Sequence, residues 1–342
     1  MVADMILAKA TEQQLYQTYR NHYKEWERSV ILTGQLLTLE EYLKREDILR
    51  SESFSVKNYT VWVLVPSDDP ETLDLCAHCE TYGHTALVST RPGLIEEKKM
   101  EAVASVFVPA EKRGNGFAKK MMELLYQHLE RSELSDLSTL YSNIGAEFYR
   151  KRGWAPFKSL EVQYDVVQGD LSGANEDGDI QLLHDADIDF LAERDTELLR
   201  LELGHCNKPS IVIVPHADKF RWIIRRGDYY ISVLGHSRTD VVGARVKDTD
   251  NFVILYHDFV DKVTTCIRFR SDNVEATRKL VKAAKRQAAM YGLGAVLVWD
   301  PKAGVHGEEV MVIETHHSIP LLAWFGQKDD VEWLANEKYA WV

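Results

Sequence analysis

The stretch from Met100 to Leu129, MEAVASVFVPAEKRGNGFAKKMMELLYQHL, decides the fold of this 342-residue chain. Its first part, Ala102 to Val108, is apolar and rich in β-branched residues, which predicts a buried strand. After a polar loop with two glycines, apolar residues recur at helical spacing and predict a helix with one buried stripe. Strand, turn and helix N-terminus aim several backbone N–H groups at one point, so the loop predicts a pyrophosphate-binding site. The apolar stripe comprises Phe117, Met121, Leu124, Leu125 and Leu129.

The loop matches one phosphate-binding pattern better than the others. Lys119 stands where a dinucleotide-binding loop has its third glycine, and the Gly-Lys-Ser/Thr of the P-loop is absent. The pattern Arg-x-x-Gly-x-Ala, from Arg113 to Ala118, resembles the coenzyme A loop of the GNAT acetyltransferase superfamily. An ordinary strand-to-helix turn is the alternative interpretation. The resemblance implies that acetyl-CoA is bound by Val106, Phe107, Val108, Arg113, Gly114, Asn115, Gly116, Phe117, Ala118 and Lys119.

A second motif follows a predicted strand from Leu137 to Ser142. Tyr149 and Gly153 form Tyr-x-x-x-Gly before an aromatic residue, which resembles the second cofactor-side motif of GNAT enzymes. The resemblance implies that Tyr149 protonates the leaving thiolate; a core aromatic is the structural alternative. The superfamily has Asn seven positions before this Tyr, whereas this chain has Ser142 there and Asn143 one place off. We expect Ser142 or Asn143 to cap the short helix, and both are candidate cofactor contacts.

The composition is that of a globular protein, with 45% hydrophobic and 27% charged residues. The net charge of −12 argues against a nucleic-acid partner. No apolar run reaches the roughly 18 residues of a membrane span, and the first residues do not form a signal peptide. With four scattered cysteines, a cytoplasmic protein without membrane association is expected. The sequence leaves the oligomeric state undetermined.

One cysteine pair raises the alternative of a zinc site. Cys76 and Cys79, with His78 and His84, begin the spacing of a zinc knuckle. The fourth ligand position holds Ser89, and the chain has no second cysteine pair. We therefore expect no metal.

The N-terminal part predicts a mixed α/β (α+β) domain. A short strand, Ile6 to Lys9, precedes a helix capped by Thr11, and Thr38 begins a second helix. Tyr59 to Pro66 predicts a strand, followed by strands from 73 to 79 and from 86 to 89 with a turn near Tyr82-Gly83. This order resembles the GNAT fold with its mixed central sheet. In that fold the first two helices shape the acceptor side, which makes Trp26, Tyr42 and Glu46 candidate substrate contacts beside the interpretation as core and surface residues.

A polar stretch, residues 169–179 (GDLSGANEDGD), predicts a linker between an acetyl-CoA-binding catalytic domain, 1–168, and a second domain, 180–342. After it we predict strands at 220–224 and 229–234, further strands, a helix from Val274 and a strand from Ala295 to Trp299. This strand–helix–strand order repeats the first half. The turn before the helix has no glycine, so we predict a degenerate GNAT-like domain without a phosphate loop, forming the back wall of the cleft. An unrelated α+β domain is the alternative.

A closer resemblance covers nearly the whole chain. The chain is similar to the fungal L-lysine N6-acetyltransferase family in four features. These are Cys79-Glu80-Thr81, the Leu37-Thr38…Arg45-Glu46 segment, the layout of the second half and the ending Asn336-Glu-Lys-Tyr-Ala-Trp341. The resemblance implies acetyl transfer from acetyl-CoA to the N6 amine of free L-lysine, in lysine catabolism.

Acetyl transfer to a lysine amine needs a base, because with a pKa of about 10.4 under roughly a thousandth of the amine is neutral at pH 7. Glu80 and Glu101 are the candidates, and the Val108 N–H is a candidate for polarising the thioester carbonyl. Direct transfer in a ternary complex is expected. A protein or peptide acetyltransferase and a non-catalytic acetyl-CoA sensor remain as alternatives. For the substrate carboxylate, the sequence offers Arg245, Arg268 or Arg270.

Overall fold

The computed structural model describes residues 4–26, 37–132, 135–171, 178–307, 310–327 and 330–342. The mixed α/β fold predicted from the sequence is confirmed, with two mixed sheets flanked by helices. The helices are α1 Glu12–Trp26, α2 Leu39–Ser51, α3 Ser53–Asn58, α4 Phe117–Arg131, α5 Glu147–Arg150, α6 Ile188–Gly204, α7 Ala217–Val233 and α8 Val274–Met290. The strands are β1 Met5–Lys9, β2 Tyr59–Pro66, β3 Ala77–Arg91, β4 Leu94–Phe107, β5 Leu137–Ser142, β6 Ala155–Pro156, β7 Leu160–Asp165, β8 Ile180–Leu183, β9 Ser210–Ile213, β10 Gly243–Val246, β11 Phe252–Asp258, β12 Val263–Arg270, β13 Ala295–Trp299, β14 Ile313–Glu314, β15 Ile319–Trp324 and β16 Glu332–Trp333.

The first sheet has the strand order β1-β2-β3-β4-β5-β15-β6. Its first strands form the predicted antiparallel meander, and β4 then pairs with β5 in parallel. The helix α4 connects these two parallel strands, as a crossover connection requires. Met121, Met122 and Leu125 of α4 are fully buried against the sheet, which confirms the predicted apolar stripe.

The long strand β3 corrects the predicted turn at Tyr82-Gly83. Tyr82 pairs with Tyr59 on one side and Ala102 on the other, so the strand runs straight through this point. Gly83 serves close packing there, because a Cβ would lie 3.2 Å from the side-chain oxygen of Asn58. The turn lies further on, before β4, where Gly93 has a φ of 78°.

The second sheet repeats the layout of the first. Its order is β8-β10-β11-β12-β13-β7-β14, and β12 pairs with β13 in parallel across the α8 connection. The parallel pairing ends at Thr265, and the edge beyond it is met by the chain's last residues. There the carboxylate of Glu337 accepts a hydrogen bond of 2.6 Å from the backbone N–H of Phe269. The tail thus occupies the part of β12 that corresponds to the open part of β4.

Each sheet takes strands from the other part of the chain. The strand β7, which precedes the predicted linker, lies in the second sheet beside β13. The strands β9 and β15, which follow the linker, lie in the first sheet beside β3 and β5. The domain boundaries at 168 and 180 therefore stay a prediction, and residues 172–177 of the linker lie outside the described residues.

The helix α7 corrects the two strands predicted at 220–224 and 229–234. Phe220, Ile223, Gly227 and Tyr230 recur every three or four residues and are buried together, which is helical spacing. Gly227 lets the helix approach β11 closely, since a Cβ there would lie 2.8 Å from the backbone oxygen of His257. The local β-propensity of the aromatic and branched residues is overridden by this packing.

The predicted starts of the first two helices are confirmed by their caps. The Thr11 side chain accepts from the backbone N–H of Gln14, and Thr38 and Glu41 form a capping box. Within the described residues, none of the helices is both long and apolar enough to cross a membrane.

Candidate functional site

A cavity of about 880 Å³ lies where β4 and β5 part. Their last paired residues are Val103 and Leu140, and beyond them the strands diverge. Ser105 has a φ of 54°, and the pairing of β4 with β3 shifts register at this point. A β-bulge bends its strand and leaves backbone groups unpaired. The following residues, Val106 to Val108, consequently line the cavity.

The glycine loop closes one end of the cavity. Gly114 and Gly116 have φ values of 83° and 78°, which L side chains adopt at a cost. Gly116 is the N-cap of α4 and no side chain caps that helix, so its first N–H groups are available to a ligand. This is the arrangement that binds a phosphate group, and the residues present fit a pyrophosphate.

Most of the predicted cofactor residues lie together in this cavity. Asn115 is outside its lining, and its side-chain amide instead donates to the backbone oxygens of Lys112 and Arg113, which holds the loop in shape. Arg113 is exposed, and its Nε donates to the Val108 backbone oxygen over 3.1 Å. The predicted cofactor residues that line it are Val106, Phe107, Val108, Arg113, Gly114, Gly116, Phe117, Ala118, Lys119, Ser142 and Asn143.

The helix α5 starts later than the sequence predicts. Ala146 is its N-cap and makes no side-chain bond, so neither Ser142 nor Asn143 caps it. The Ser142 hydroxyl instead donates to the Gly145 backbone oxygen over 2.7 Å and holds the preceding turn. The Asn143 side-chain oxygen accepts from the backbone N–H of Ser318 over 2.8 Å. Both residues therefore fix the wall of the cavity beside β15.

Tyr149 lies on α5 and reaches the same cavity. The residue is 6% exposed, and burial, with a smaller contribution from Cys79, raises the pKa of its hydroxyl. A raised pKa keeps the phenol protonated at neutral pH, so the group is available as a proton donor. Within the described residues, no side chain makes a hydrogen bond to this hydroxyl.

The two candidate bases lie on opposite faces of the first sheet. Glu101 pairs with Gly83, three residues from Glu80, and side chains an odd number apart on a strand point to opposite faces. Glu80 lines the cavity, whereas Glu101 does not. The geometry therefore favours Glu80 as the group that meets a substrate.

Glu80 has the properties of a base that works at neutral pH. The side chain is 6% exposed, and the Tyr59 hydroxyl donates to its Oε1 over 2.9 Å. Burial, assisted by the charge of Glu46, raises the pKa of Glu80 to about 7. A hydrogen bond with Ser105 links it to the bulged part of β4 and partly opposes this rise.

An arginine and a glutamate of α2 extend the cavity beyond Glu80. The Nε and Nη2 atoms of Arg45 donate to Glu46 Oε1 over 3.0 and 2.6 Å. The Arg45 guanidinium also lies 4.5 Å from the ring centre of Tyr42 and donates to the Tyr230 hydroxyl. Tyr42 and Glu46 line the cavity as expected, and the side chain of Trp26 lies outside the described residues.

The second half of the chain contributes Trp222, Arg226 and Trp341 to the lining of the cavity. Sequence analysis missed the two α7 residues because it assigned that segment to strands. The helical spacing of Phe220, Ile223 and Gly227 is the pattern in the sequence that indicates a helix in this segment, which contains Trp222 and Arg226.

The three arginines proposed from the sequence for the substrate carboxylate lie elsewhere. Arg268 and Arg270 donate to the buried carboxylate of Asp195, and Arg245 donates to Gln181 on the neighbouring strand. None of them lines the cavity. That prediction was wrong because strand residues spaced by two share a face, and this face is covered by α6 rather than by the cavity.

The described residues contain no group of three His, Cys, Asp or Glu side chains suited to a metal ion. Cys76 and Cys79 are free and buried, and Cys79 packs in the core against α4. Burial raises the pKa of Cys76 as well as that of Cys79, which keeps both as thiols.

Family models match two parts of this chain. The model described as "Acetyltransferase (GNAT) domain" matches residues 84–157, which contain the glycine loop and Tyr149. Together with the split sheet, this match defines the protein as a GNAT acetyltransferase, an acyltransferase enzyme. The model described as "LYC1 GNAT-like C-terminal domain" matches residues 168–342, just over half of the chain. The chain belongs to this family, and both resemblances inferred from the sequence are confirmed.

Relatives and solved structures agree with this assignment. The chain is 22% identical over 316 residues to "Lysine acetyltransferase" of Yarrowia lipolytica, covering 78% of this chain and 79% of that protein. A GCN5-related N-acetyltransferase from Kribbella flavida superposes with a TM-score of 0.57 at 16% identity, covering 94% and 71% of the two chains. A probable N-acyltransferase from Enterococcus faecalis V583 gives 0.56 at 12% identity, covering 95% and 73%. These structural similarities show the fold alone.

Proposed function

We propose that this enzyme transfers acetyl from acetyl-CoA to the N6 amine of free L-lysine. The observation that carries the proposal is a single cavity, which joins the glycine loop and Tyr149 to the buried carboxylate of Glu80. The similarity to a protein named lysine acetyltransferase supports lysine as the acceptor. We also propose that the reaction belongs to lysine degradation and takes place in the cytoplasm. The four free cysteines support the cytoplasm as the compartment, because thiols stay reduced there.

Acetyl-CoA would supply an acetyl thioester to this cavity. The N–H groups at the start of α4, with Arg113 and Lys119, would hold its pyrophosphate. Val106 to Val108, on the open part of β4, would pair with its pantetheine arm, and the Val108 N–H would orient the thioester carbonyl. Residues 1–168 would thus form the cofactor-binding catalytic domain, and residues 180–342 would complete the wall of the substrate cleft.

The chain's own groups move the protons. Glu80 accepts a proton from the ammonium group of the acceptor, and the neutral amine becomes the nucleophile. The amine bonds to the thioester carbonyl carbon, and Tyr149 donates its phenolic proton to the sulfur as the C–S bond breaks. The proton that the new amide nitrogen loses restores the phenol. We propose direct transfer in a ternary complex, which is supported by a cavity that brings the glycine loop, Tyr149 and Glu80 together.

A panel of acceptors tests this proposal. Purified protein is incubated with acetyl-CoA and free amino acids, polyamines or basic peptides, thiol release is followed, and the products are identified by mass spectrometry. We expect turnover on L-lysine, with acetyl on the ε-nitrogen. Turnover on peptides alone would establish a peptide acetyltransferase instead. Binding of acetyl-CoA without turnover on any amine would establish a non-catalytic sensor.

Arg113→Glu is expected to weaken acetyl-CoA binding by about 100-fold, because a charge-assisted bond to phosphate is lost and a like charge is introduced. Arg113 is exposed, so the stability of the fold should be unchanged. Isothermal titration with acetyl-CoA measures the effect. Arg131→Glu, at the exposed far end of the same helix, is the matched control and should bind as the wild type does. Equal affinities of the two variants would remove Arg113 from the cofactor site.

Tyr149→Phe is expected to lower kcat about tenfold while acetyl-CoA affinity stays unchanged. This loss is smaller than that for a typical general acid, because a thiolate with an ordinary pKa near 8.5 leaves without full protonation. Steady-state kinetics and titration of acetyl-CoA measure both quantities. Tyr126→Phe removes a phenol from α4 outside the cavity and serves as the control. Unchanged kcat in Tyr149→Phe would show that another group protonates the thiolate.

A further inference from the structure

Arg226 is a cationic side chain that lines the cavity. It lies on α7 and is half-buried at the wall of the cavity. Its guanidinium carbon lies 5.5 Å from the ring centre of Trp341. Among the described residues, no carboxylate forms an ion pair with it. A desolvated charge without a partner is unfavourable, so the position calls for an anion.

The neighbouring charged groups are already engaged. Glu46 Oε1 accepts both hydrogen bonds that Arg45 donates to it. Glu80 accepts from Tyr59, and its carboxylate is close enough to Arg226 for the guanidinium charge to favour its ionised form. Arg226 therefore lies near the base without being neutralised by a contact to it. The N–H donors of the guanidinium therefore remain for a ligand in the cavity.

We propose that Arg226 binds the free α-carboxylate of the acceptor, so that the site selects small amino acids that carry a side-chain amine. This inference rests on the proposed function and specifies its substrate class. A guanidinium presents paired N–H donors that match the two oxygens of a carboxylate. Glu80, hydrogen-bonded to Ser105 of the bulge, receives the amine end, and Arg226 on α7 receives the carboxylate end. A lysine within a peptide has no such carboxylate and would leave Arg226 unpaired.

The test compares L-lysine with 1,5-diaminopentane, which is lysine without its carboxylate. Wild-type protein should prefer lysine in kcat/KM. Arg226→Gln should raise KM for lysine roughly 10- to 100-fold, the loss of a charge-assisted hydrogen bond, while kcat falls little. Its KM for 1,5-diaminopentane and for acetyl-CoA should stay within about twofold of wild type. Arg226→Lys keeps the charge but not the paired donors, so its KM for lysine should lie between those of the wild type and Arg226→Gln.

Arg225→Gln is the matched control, because this neighbour on α7 is exposed and pairs with Glu52 outside the cavity. It should leave both acceptors unaffected. Unchanged lysine KM in Arg226→Gln, or equal losses on lysine and 1,5-diaminopentane, would overturn the proposal and leave Arg226 a structural role.

A binding measurement separates this inference from the proposed function. L-Lysine and L-norleucine, which has the carboxylate but no side-chain amine, are titrated into the protein with CoA present. Binding of both to the wild type and loss of both in Arg226→Gln would support the carboxylate site even if lysine were not acetylated. Binding that is the same in both proteins, or absent from the wild type, would overturn it.

Discussion

Glu80→Gln is expected to lower kcat on the acceptor amine by about 10²- to 10⁴-fold, the usual contribution of a general base. The glutamine keeps the shape of the side chain and can still accept from Tyr59, but it cannot take a proton. Glu80 lies on β3 and is not part of the glycine loop, so acetyl-CoA affinity should stay unchanged. Steady-state kinetics with saturating acetyl-CoA, together with titration of the cofactor, measures the two effects separately.

The dependence of kcat on pH provides a second test of Glu80 as the base. Burial raises the pKa of Glu80 to about 7, and only the ionised carboxylate accepts a proton. The rate should therefore fall as the pH drops below about 7 and level off above it. In Glu80→Gln this acidic limb of the pH profile, the fall in rate below about pH 7, should disappear because the titrating group is gone. An unchanged limb in the variant would assign the titration to another group.

Glu101→Gln is the matched control for Glu80. Burial also raises the pKa of Glu101 to about 7, yet this residue lies on the other face of the sheet. The two glutamates thus share their chemistry and differ in their access to the cavity. We expect Glu101→Gln to keep its kcat within a few-fold of the wild type. A loss as large as that of Glu80→Gln would contradict the assignment of the base.

Asp195→Ala is expected to lower the free energy of unfolding by about 3–5 kcal/mol, the effect of breaking a buried ion pair. Asp195 is fully buried on α6, and its oxygens accept from Arg268 over 2.7 and 3.1 Å and from Arg270 over 2.5 Å. Arg268 also donates to Glu337, near the end of the chain. Alanine would leave two buried guanidinium groups without this carboxylate. Denaturant unfolding followed by circular dichroism measures the loss.

The same ion pairs predict that the free energy of unfolding decreases at low pH. Burial opposes the ionised form of Asp195, but the charges of Arg268 and Arg270 outweigh it and hold its pKa below the ordinary value. A carboxylate with a lowered pKa stabilises the fold above the unfolded-state pKa of about 4, and that stability is lost as the pH falls through the folded-state pKa. Wild-type protein should lose this stability in acid, and Asp195→Ala should lose less.

Asp250→Asn is the control for the buried carboxylate. Asp250 accepts from Arg194 over 2.9 and 2.8 Å, so the bonds resemble those of Asp195, but both groups are partly exposed to water. Exposed ion pairs contribute little to stability, and the unfolding curve of this variant should nearly match that of the wild type. If the Asp195 variant were as stable as the Asp250 variant, the buried ion pairs would not stabilise the packing of α6 against the second sheet.

The sequence by itself predicted the parts of the site that depend on neighbours along the chain. The apolar stripe of α4, the helix start at Thr38 and the glycine loop before α4 are all set by residues a few positions apart. The phosphate loop and the position of Tyr149 followed from the same local patterns, as did the GNAT fold itself. Local spacing fixes such features because helix periodicity and backbone preference act over one or two turns.

Only the tertiary structure decided which of these groups meet. The strands β7, β9 and β15 exchange between the sheets, and no local pattern records which distant strand will be a neighbour. Glu80 and Glu101 look alike in sequence, but the register of β3 on β4 places them on opposite faces, since a shift of one residue reverses every side chain. Arg226 lines the cavity because its segment forms the helix α7, which packs closely on β11 at Gly227. The part of the cavity formed by Glu80 and Arg226 was therefore decided by long-range pairing and packing, and the glycine loop by local sequence.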